Sequence, residues 1–174
     1  MQSSTRNRGF TLPELMVGLL IATVLVVIAH GFLSSVVPRE SLISTANNMI
    51  GLIYRGRERA IGDAPVLLCA DGSGCNRFGN ARAIVLVRDS NNNRQLDHGE
   101  TILRRKVLPQ GMTVSWHSFR NKPWLRFNSR ARSYYQNGHF QFCYRNFSLN
   151  VVMTRIGRPR VDRHGVINKK CPTS

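Results

Sequence analysis

The segment Arg155-Ile156-Gly157-Arg158-Pro159-Arg160-Val161-Asp162-Arg163 has the clearest chemistry in this chain. Arg158 and Arg160 are two residues apart, so in extended backbone they project from one face. Guanidinium forks of this kind hold phosphate oxygens in bidentate fashion. Gly157 can adopt positive φ and so make a tight turn ahead of them. Pro159 removes a backbone donor and stiffens the segment, which suits a sheet edge or an exposed tail. Arg155 and Arg163 flank the pair, and Lys169 and Lys170 follow. The competing expectation is a basic hairpin that is merely solvated.

Other candidates rank below it. Arg104-Arg105-Lys106 forms one further basic group, and Arg120, Lys122, Arg126, Arg130 and Arg132 form another. Trp116, Phe119, Trp124, Phe127, Tyr134 and Tyr135 interleave with the second group. Exposed rings there can stack on the bases of a single strand, although most such rings serve packing. Asp89-Ser90-Asn91-Asn92-Asn93, then Asp97 and Glu100, place oxygen atoms at alternate positions, as a calcium loop does. The glycine such a loop needs is missing between Asn93 and Asp97, so a loop built on Asx turns is expected. There is no Cys-x-x-Cys and the five histidines are scattered, so no metal is expected. With no phosphate loop, paired carboxylates or locally supported Ser-His-Asp order, neither an enzyme nor a cofactor is expected.

Charge narrows the partners. Residues 39–174 hold 23 of the 25 Lys and Arg but 8 of the 9 acids, an excess of 15 positive charges. Such a surface favours polyanions: nucleic acid, lipopolysaccharide or anionic lipid. The four cysteines, Cys69, Cys75, Cys143 and Cys171, all lie in this part. An even count in an oxidising compartment suggests two disulfides, for which three pairings exist. Cys69–Cys75 closing a small loop and Cys143–Cys171 tying the tail to a strand are the expected pair.

These groups must be positioned by a chain with two different halves. Leu15 to Val37 is a run of 23 residues without Lys, Arg, Asp or Glu. At about 1.5 Å per residue it can cross a hydrocarbon core of about 30 Å with some tilt. Arg6 and Arg8 precede it and should hold the N-terminus in the cytoplasm. His30 is expected to snorkel toward the far interface, and Pro38 to mark any kink. Beyond Pro38, Leu42, Ile43, Ala46, Met49, Ile50, Ile53, Ala60 and Ile61 form the apolar stripe of an amphipathic helix, stopped by Gly62-Asp63-Ala64-Pro65. Short β-branched runs follow, predicting strands at 66–69, 83–88, 101–107, 112–116, 124–127, 139–144, 149–155 and 158–162. The expected fold class is α+β, a long helix packed on antiparallel sheet.

Gly9-Phe10-Thr11-Leu12-Pro13-Glu14 ahead of the apolar run resembles the class III leader of type IV pilins and type II secretion pseudopilins. The resemblance implies that a prepilin peptidase cleaves after Gly9 and N-methylates Phe10. It also implies that Glu14 pairs with the charged amine of Phe10 during assembly with other pilins. Further matches narrow the family: Val66-Leu67-Leu68-Cys69, Val85-x-x-Arg88-Asp89, Gly99-Glu100-x-Ile102-Leu103-Arg104, Gly138-x-Phe140-x-Phe142-Cys143 and Gly157-Arg158-x-Arg160. With these the chain resembles the GspH/FimT-type minor pilins and pseudopilins. The resemblance implies a leader at 1–9, a membrane and filament-core helix at 10–37, its amphipathic continuation at 38–62, and a periplasmic β-rich domain at 63–174. In the FimT branch a Gly-Arg-x-Arg tail is associated with DNA binding in natural transformation. The expected function is therefore DNA capture by a minor pilin, passing from the inner membrane to the pilus at the cell surface. A purely structural pilin or pseudopilin is the alternative.

Overall fold

A computed structural model describes residues 11–72, 75, 78–133, 136–162 and 164–168. Helix α1 runs Leu12–Ala60. Strands β1 (Val66–Ala70), β2 (Ala83–Arg88), β3 (Ile102–Val107), β4 (Met112–Ser118), β5 (Leu125–Phe127), β6 (Gly138–Tyr144), β7 (Phe147–Met153), β8 (Pro159–Val161) and β9 (Ile167–Asn168) follow. A short 3-10 turn, Phe78–Asn80, lies between β1 and β2. The fold is α+β and pilin-like: one long N-terminal helix packed on two antiparallel sheets. Two compact units meet in sequence at Val37 and Pro38. In the first, α1 has a stretch with mean hydropathy 2.5, long and apolar enough to cross a membrane.

In the second unit the helix buries Leu42, Thr45, Ala46, Met49, Leu52, Ile53, Gly56 and Ala60. The spacing of three and four is that of one helical face. Ile43 and Ile61, expected in this stripe, are exposed. Ile43 lies one residue off the buried row, and Ile61 lies beyond the last helical turn. Gly56 takes a place in the row because the sheet comes very close there. A Cβ on it would meet Leu86 Cδ1 at 2.9 Å and Phe127 Cε2 at 3.0 Å.

The first sheet has the order β3-β2-β1-β5, and the second β4-β6-β7-β8, with β9 also paired to β7. Every residue of β1 is buried, as are Ala83 to Val87 of β2, so both faces of these central strands are covered. One face meets α1 through Leu86 and Phe127. Leu96, from the 89–100 loop, also packs on the core. In the second sheet, Val114, Phe140, Phe142, Leu149 and Val151 are buried. The rings of Phe78, Phe140 and Trp116 form a cluster there, with centroids 5.5 Å and 4.2 Å apart for the two pairs. β9 had no sequence signal, being only two residues long.

Candidate nucleic-acid interface

The hairpin of β7 and β8 sets the Gly157–Arg160 segment at a sheet edge. Register pairs Met153 with Pro159, Val152 with Arg160 and Val151 with Val161. Alternation turns Pro159 toward the core, where it is buried, and leaves Arg158 and Arg160 exposed. The turn is closed at its neck: Thr154 N–H donates to the Arg158 carbonyl at 3.0 Å, and Gly157 N–H to the Thr154 carbonyl at 2.9 Å. Arg158 N–H also donates to Thr154 Oγ1 at 3.0 Å.

Gly157 has φ +78°, and a Cβ there would lie 2.8 Å from Ser133 Oγ. Its carbonyl accepts a bond from Arg57 Nη1 at 3.1 Å. The helix and the 128–133 loop therefore fix the turn that precedes the two arginines. Gly157→Ala is expected to cost about 1–2 kcal/mol from the left-handed backbone alone, with the contact to Ser133 adding to it. Thermal unfolding of the chain in neutral detergent checks this; an unchanged midpoint would mean that the turn relaxes freely.

Cross-strand register carries a row from Arg160 through Val152 and His139 to His117. The His117 and His139 rings stack with centroids 4.8 Å apart. Burial, and next the neighbouring His117, hold His139 below its ordinary 6.5, against a smaller upward pull from Asp162. A depressed folded value means that the unfolded chain takes up the proton first as pH falls. The contribution to stability is full above about 6.5 and is lost as pH drops through that value toward the lower folded one. The thermal midpoint should fall between about pH 7.5 and pH 5.5, and fall less in His139→Gln. Equal slopes in both proteins would remove His139 from the account.

A second basic cluster surrounds a pocket of about 360 Å³, lined by Arg94, Arg120, Lys122, Trp124, Arg126 and Arg132 among others. The Arg94 guanidinium lies 6.0 Å from the Trp124 ring centroid. Arg126 Nε is 3.8 Å from Asp89 Oδ2, and Asp89 is fully buried. Arg126 Nη2 also donates to Asn92 Oδ1. Burial lowers the Arg126 pKa, Asp89 opposes this, and the nearby Arg94 lowers it further. The loop on the pocket's other side is organised by Asn128, whose Oδ1 accepts from the amides of Arg130 at 3.1 Å and Arg132 at 2.9 Å. Arg130 and Arg132 are exposed as a result.

The remaining expected residues are scattered. Arg105 pairs with Asp71 at 2.9 Å, and Arg104, Arg105 and Lys106 line a small cleft with Arg55 of the helix. Of the interleaved aromatics, Phe127 is core and Phe119 is exposed, while Trp116 stacks on Phe140. Tyr134 and Tyr135 lie outside the described residues. In the 89–100 loop most of the Asn and Asp side-chain oxygen atoms accept from the protein's own donors. Asn91 Oδ1 and Asn93 Oδ1 accept backbone amides in Asx turns. Asp97 Oδ2 accepts from Asn91 and Asn93, and these bonds, Asn91 first, hold its carboxyl below the usual range.

Cys69 and Cys75 form a disulfide. Cys143 is disulfide-bonded too, and Cys171, its expected partner, lies outside the described residues. Arg155 is exposed beside the hairpin turn. Arg163, Lys169 and Lys170 lie outside the described residues, as do Gly9 and Phe10. Glu14 stands in the first turn of α1. Among the described residues no group of three or more His, Cys, Asp or Glu is arranged to hold a metal. Sequence reasoning did not find Arg94, Gln136 or Ser133. Their signal lies in contacts across the fold, with Trp124, the Arg126 amide and Gly157 respectively.

Comparison with known proteins gives two family matches. Residues 45–157 match the family described as type II transport protein GspH. Residues 4–29 match the prokaryotic N-terminal methylation motif. The first match ends before Arg158 and Arg160. No curated protein and no solved structure matches the chain at a significant level.

Proposed function

The chain belongs to the family of the type II transport protein GspH, and from that premise we propose that it is a minor pilin that binds DNA through the β7–β8 hairpin. Family and methylation motif together imply processing by a prepilin peptidase and assembly with other pilins. The motif and the apolar helix fit anchoring in the inner membrane before assembly. In this reading the peptidase cuts after Gly9 and methylates Phe10, and Glu14 pairs with the new amine in the filament. Residues 10–37 cross the membrane once, and residues 38–174 lie on its outer side.

One observation carries the DNA reading. Arg158, just before the short edge strand β8, and Arg160 within it are exposed while Pro159 between them is buried, and the turn before them is tied to Arg57 and packed on Ser133. The paired guanidinia are thus presented with little left to order on binding. Phosphate contacts of this kind are independent of sequence and sensitive to salt, which suits capture of arbitrary DNA for transformation. Arg155, Arg163, Lys169 and Lys170 would add to the field.

The full chain in neutral detergent should bind a duplex with a steep salt dependence. Arg158→Gln/Arg160→Gln should weaken binding about tenfold or more and reduce the salt slope by roughly two. Equal binding by parent and variant would leave bulk charge as the only cause. It would favour the second reading, a structural or priming subunit of a pilus or a type II secretion pseudopilus. That reading draws on the family description and on a match that stops short of the two arginines.

A further inference from the structure

We infer that the Trp124 pocket is a separate subsite for single-stranded nucleic acid, in which Lys122, Arg94 and Arg132 hold phosphates and Trp124 stacks on a base. The inference rests on the reading that this pilin's polyanion is nucleic acid, but it uses different residues and makes a different demand on the ligand.

Three observations support it. First, the lining of the pocket is rich in positive charge. Five of its lining residues are cationic and none is acidic. The carboxylate of Asp89, fully buried 3.8 Å from Arg126 Nε, offsets that one guanidinium and does not itself line the pocket. Guanidinia held together in this way gain from a bound anion. Second, the pocket combines those cations with an aromatic plane. Trp124 is only half-buried and lines the cavity. Aromatic side chains in a positive groove are the common means of holding unpaired bases, whereas a duplex keeps its bases stacked inside.

Third, the pocket adjoins the hairpin. Ser133, which packs under Gly157, follows Arg132 of the pocket directly in sequence. The amide of Gln136 donates to the Ser133 carbonyl at 3.0 Å, and the Gln136 side chain accepts from the Arg126 amide at 2.7 Å. Ser133 and Gln136 therefore link the turn before Arg158 to Arg126 of the pocket. A strand whose phosphates lie on Arg158 and Arg160 can continue past Ser133 and Arg132 and place an unpaired base on Trp124.

Three 12-nucleotide probes decide the matter with the full chain in neutral detergent micelles: oligothymidine, an abasic strand with the same phosphates, and a duplex. The parent should bind oligothymidine about tenfold more tightly than the abasic strand, as one stacked base implies. Trp124→Leu should abolish that difference and leave the affinity for the abasic strand unchanged. Lys122→Gln/Arg132→Gln should weaken both single strands alike and lower the salt slope by about 0.7 per lost phosphate contact. Equal binding of oligothymidine and the abasic strand by the parent overturns the inference without any variant, and covers the case in which Trp124→Leu does not fold. A preference for bases that survives in folded Trp124→Leu overturns it too. Arg158→Gln/Arg160→Gln in the same assay separates the two readings. If that variant binds like the parent while Trp124→Leu loses the base preference, the hairpin reading fails and the pocket stands. If no probe binds, both fail.

Discussion

Phe140→Ala is expected to lower the stability of the globular unit by about 4 kcal/mol, the range for emptying a large buried aromatic site. Phe140 is fully buried and sits on β6, the strand between β4 and β7. Its ring stacks on Trp116 at 4.2 Å and meets the edge of Phe78 at 5.5 Å. Phe78 belongs to the short turn between β1 and β2, so this one ring links the second sheet to the connection of the first. Truncation removes the buried area and leaves a cavity that neighbours on three segments cannot all move to fill. Phe140→Leu keeps most of the volume and should cost well under half as much. The check is the denaturation midpoint in urea, with near-ultraviolet dichroism reporting the environment of Trp116. A shift no larger than that of a typical surface substitution, about 0.5 kcal/mol, would show that the layers are joined elsewhere.

Asp89→Ala should cost about 3 kcal/mol, because it strips a partly buried arginine of its counter-charge. Asp89 is fully buried, and its Oδ2 accepts the Arg94 amide at 3.2 Å. At 3.8 Å from Arg126 Nε the same atom forms an ion pair without a hydrogen bond, so its hold on Arg126 is Coulombic. The carboxylate therefore does two things: it closes the start of the 89–100 loop and offsets the charge of Arg126. Without it, the pocket beside Trp124 would be more repulsive within itself and its wall less ordered. Asp89→Ala/Arg126→Met removes both charges and should recover much of the loss, as pairs replaced together usually do. If the double variant is as unstable as the single one, the carboxylate acts through the Arg94 amide alone.

Local pattern made most elements legible. The stripe at 42–53 needs only a period near four, and the apolar runs at 66–69 and 83–88 need only β-branched residues between turn signals. The α+β architecture follows from one long helix before many short strands. The positive φ of Gly157 and the outward display of Arg158 and Arg160 agree with a turn followed by alternation. β9 was not legible because two residues have no period.

Membership of the buried helix face was harder to read. Gly56 appears from sequence as a break in the stripe, yet its missing Cβ lets Leu86 and Phe127 approach the helix. Ile43 is apolar and remains exposed because it lies off that row. Hydrophobicity alone states what a residue prefers, and only the partner's position states whether the preference is met.

What the amino-acid sequence determines by itself is local: the apolar N-terminal run, the helix and strand periods, the large positive excess and the tight turn before two arginines. Backbone sterics and side-chain alternation act over a few residues, so they can be read without a fold. Tertiary structure decides which charges meet. Arg94 lies far from Trp124 and Arg132 in the chain, and strand register with two Asn-built loops gathers them around one pocket. It also decides that Asp89 offsets Arg126 from a buried position, and that Ser133 lies beneath Gly157. Coulombic and packing energies depend on distance in space, and no property of the linear order encodes that distance directly.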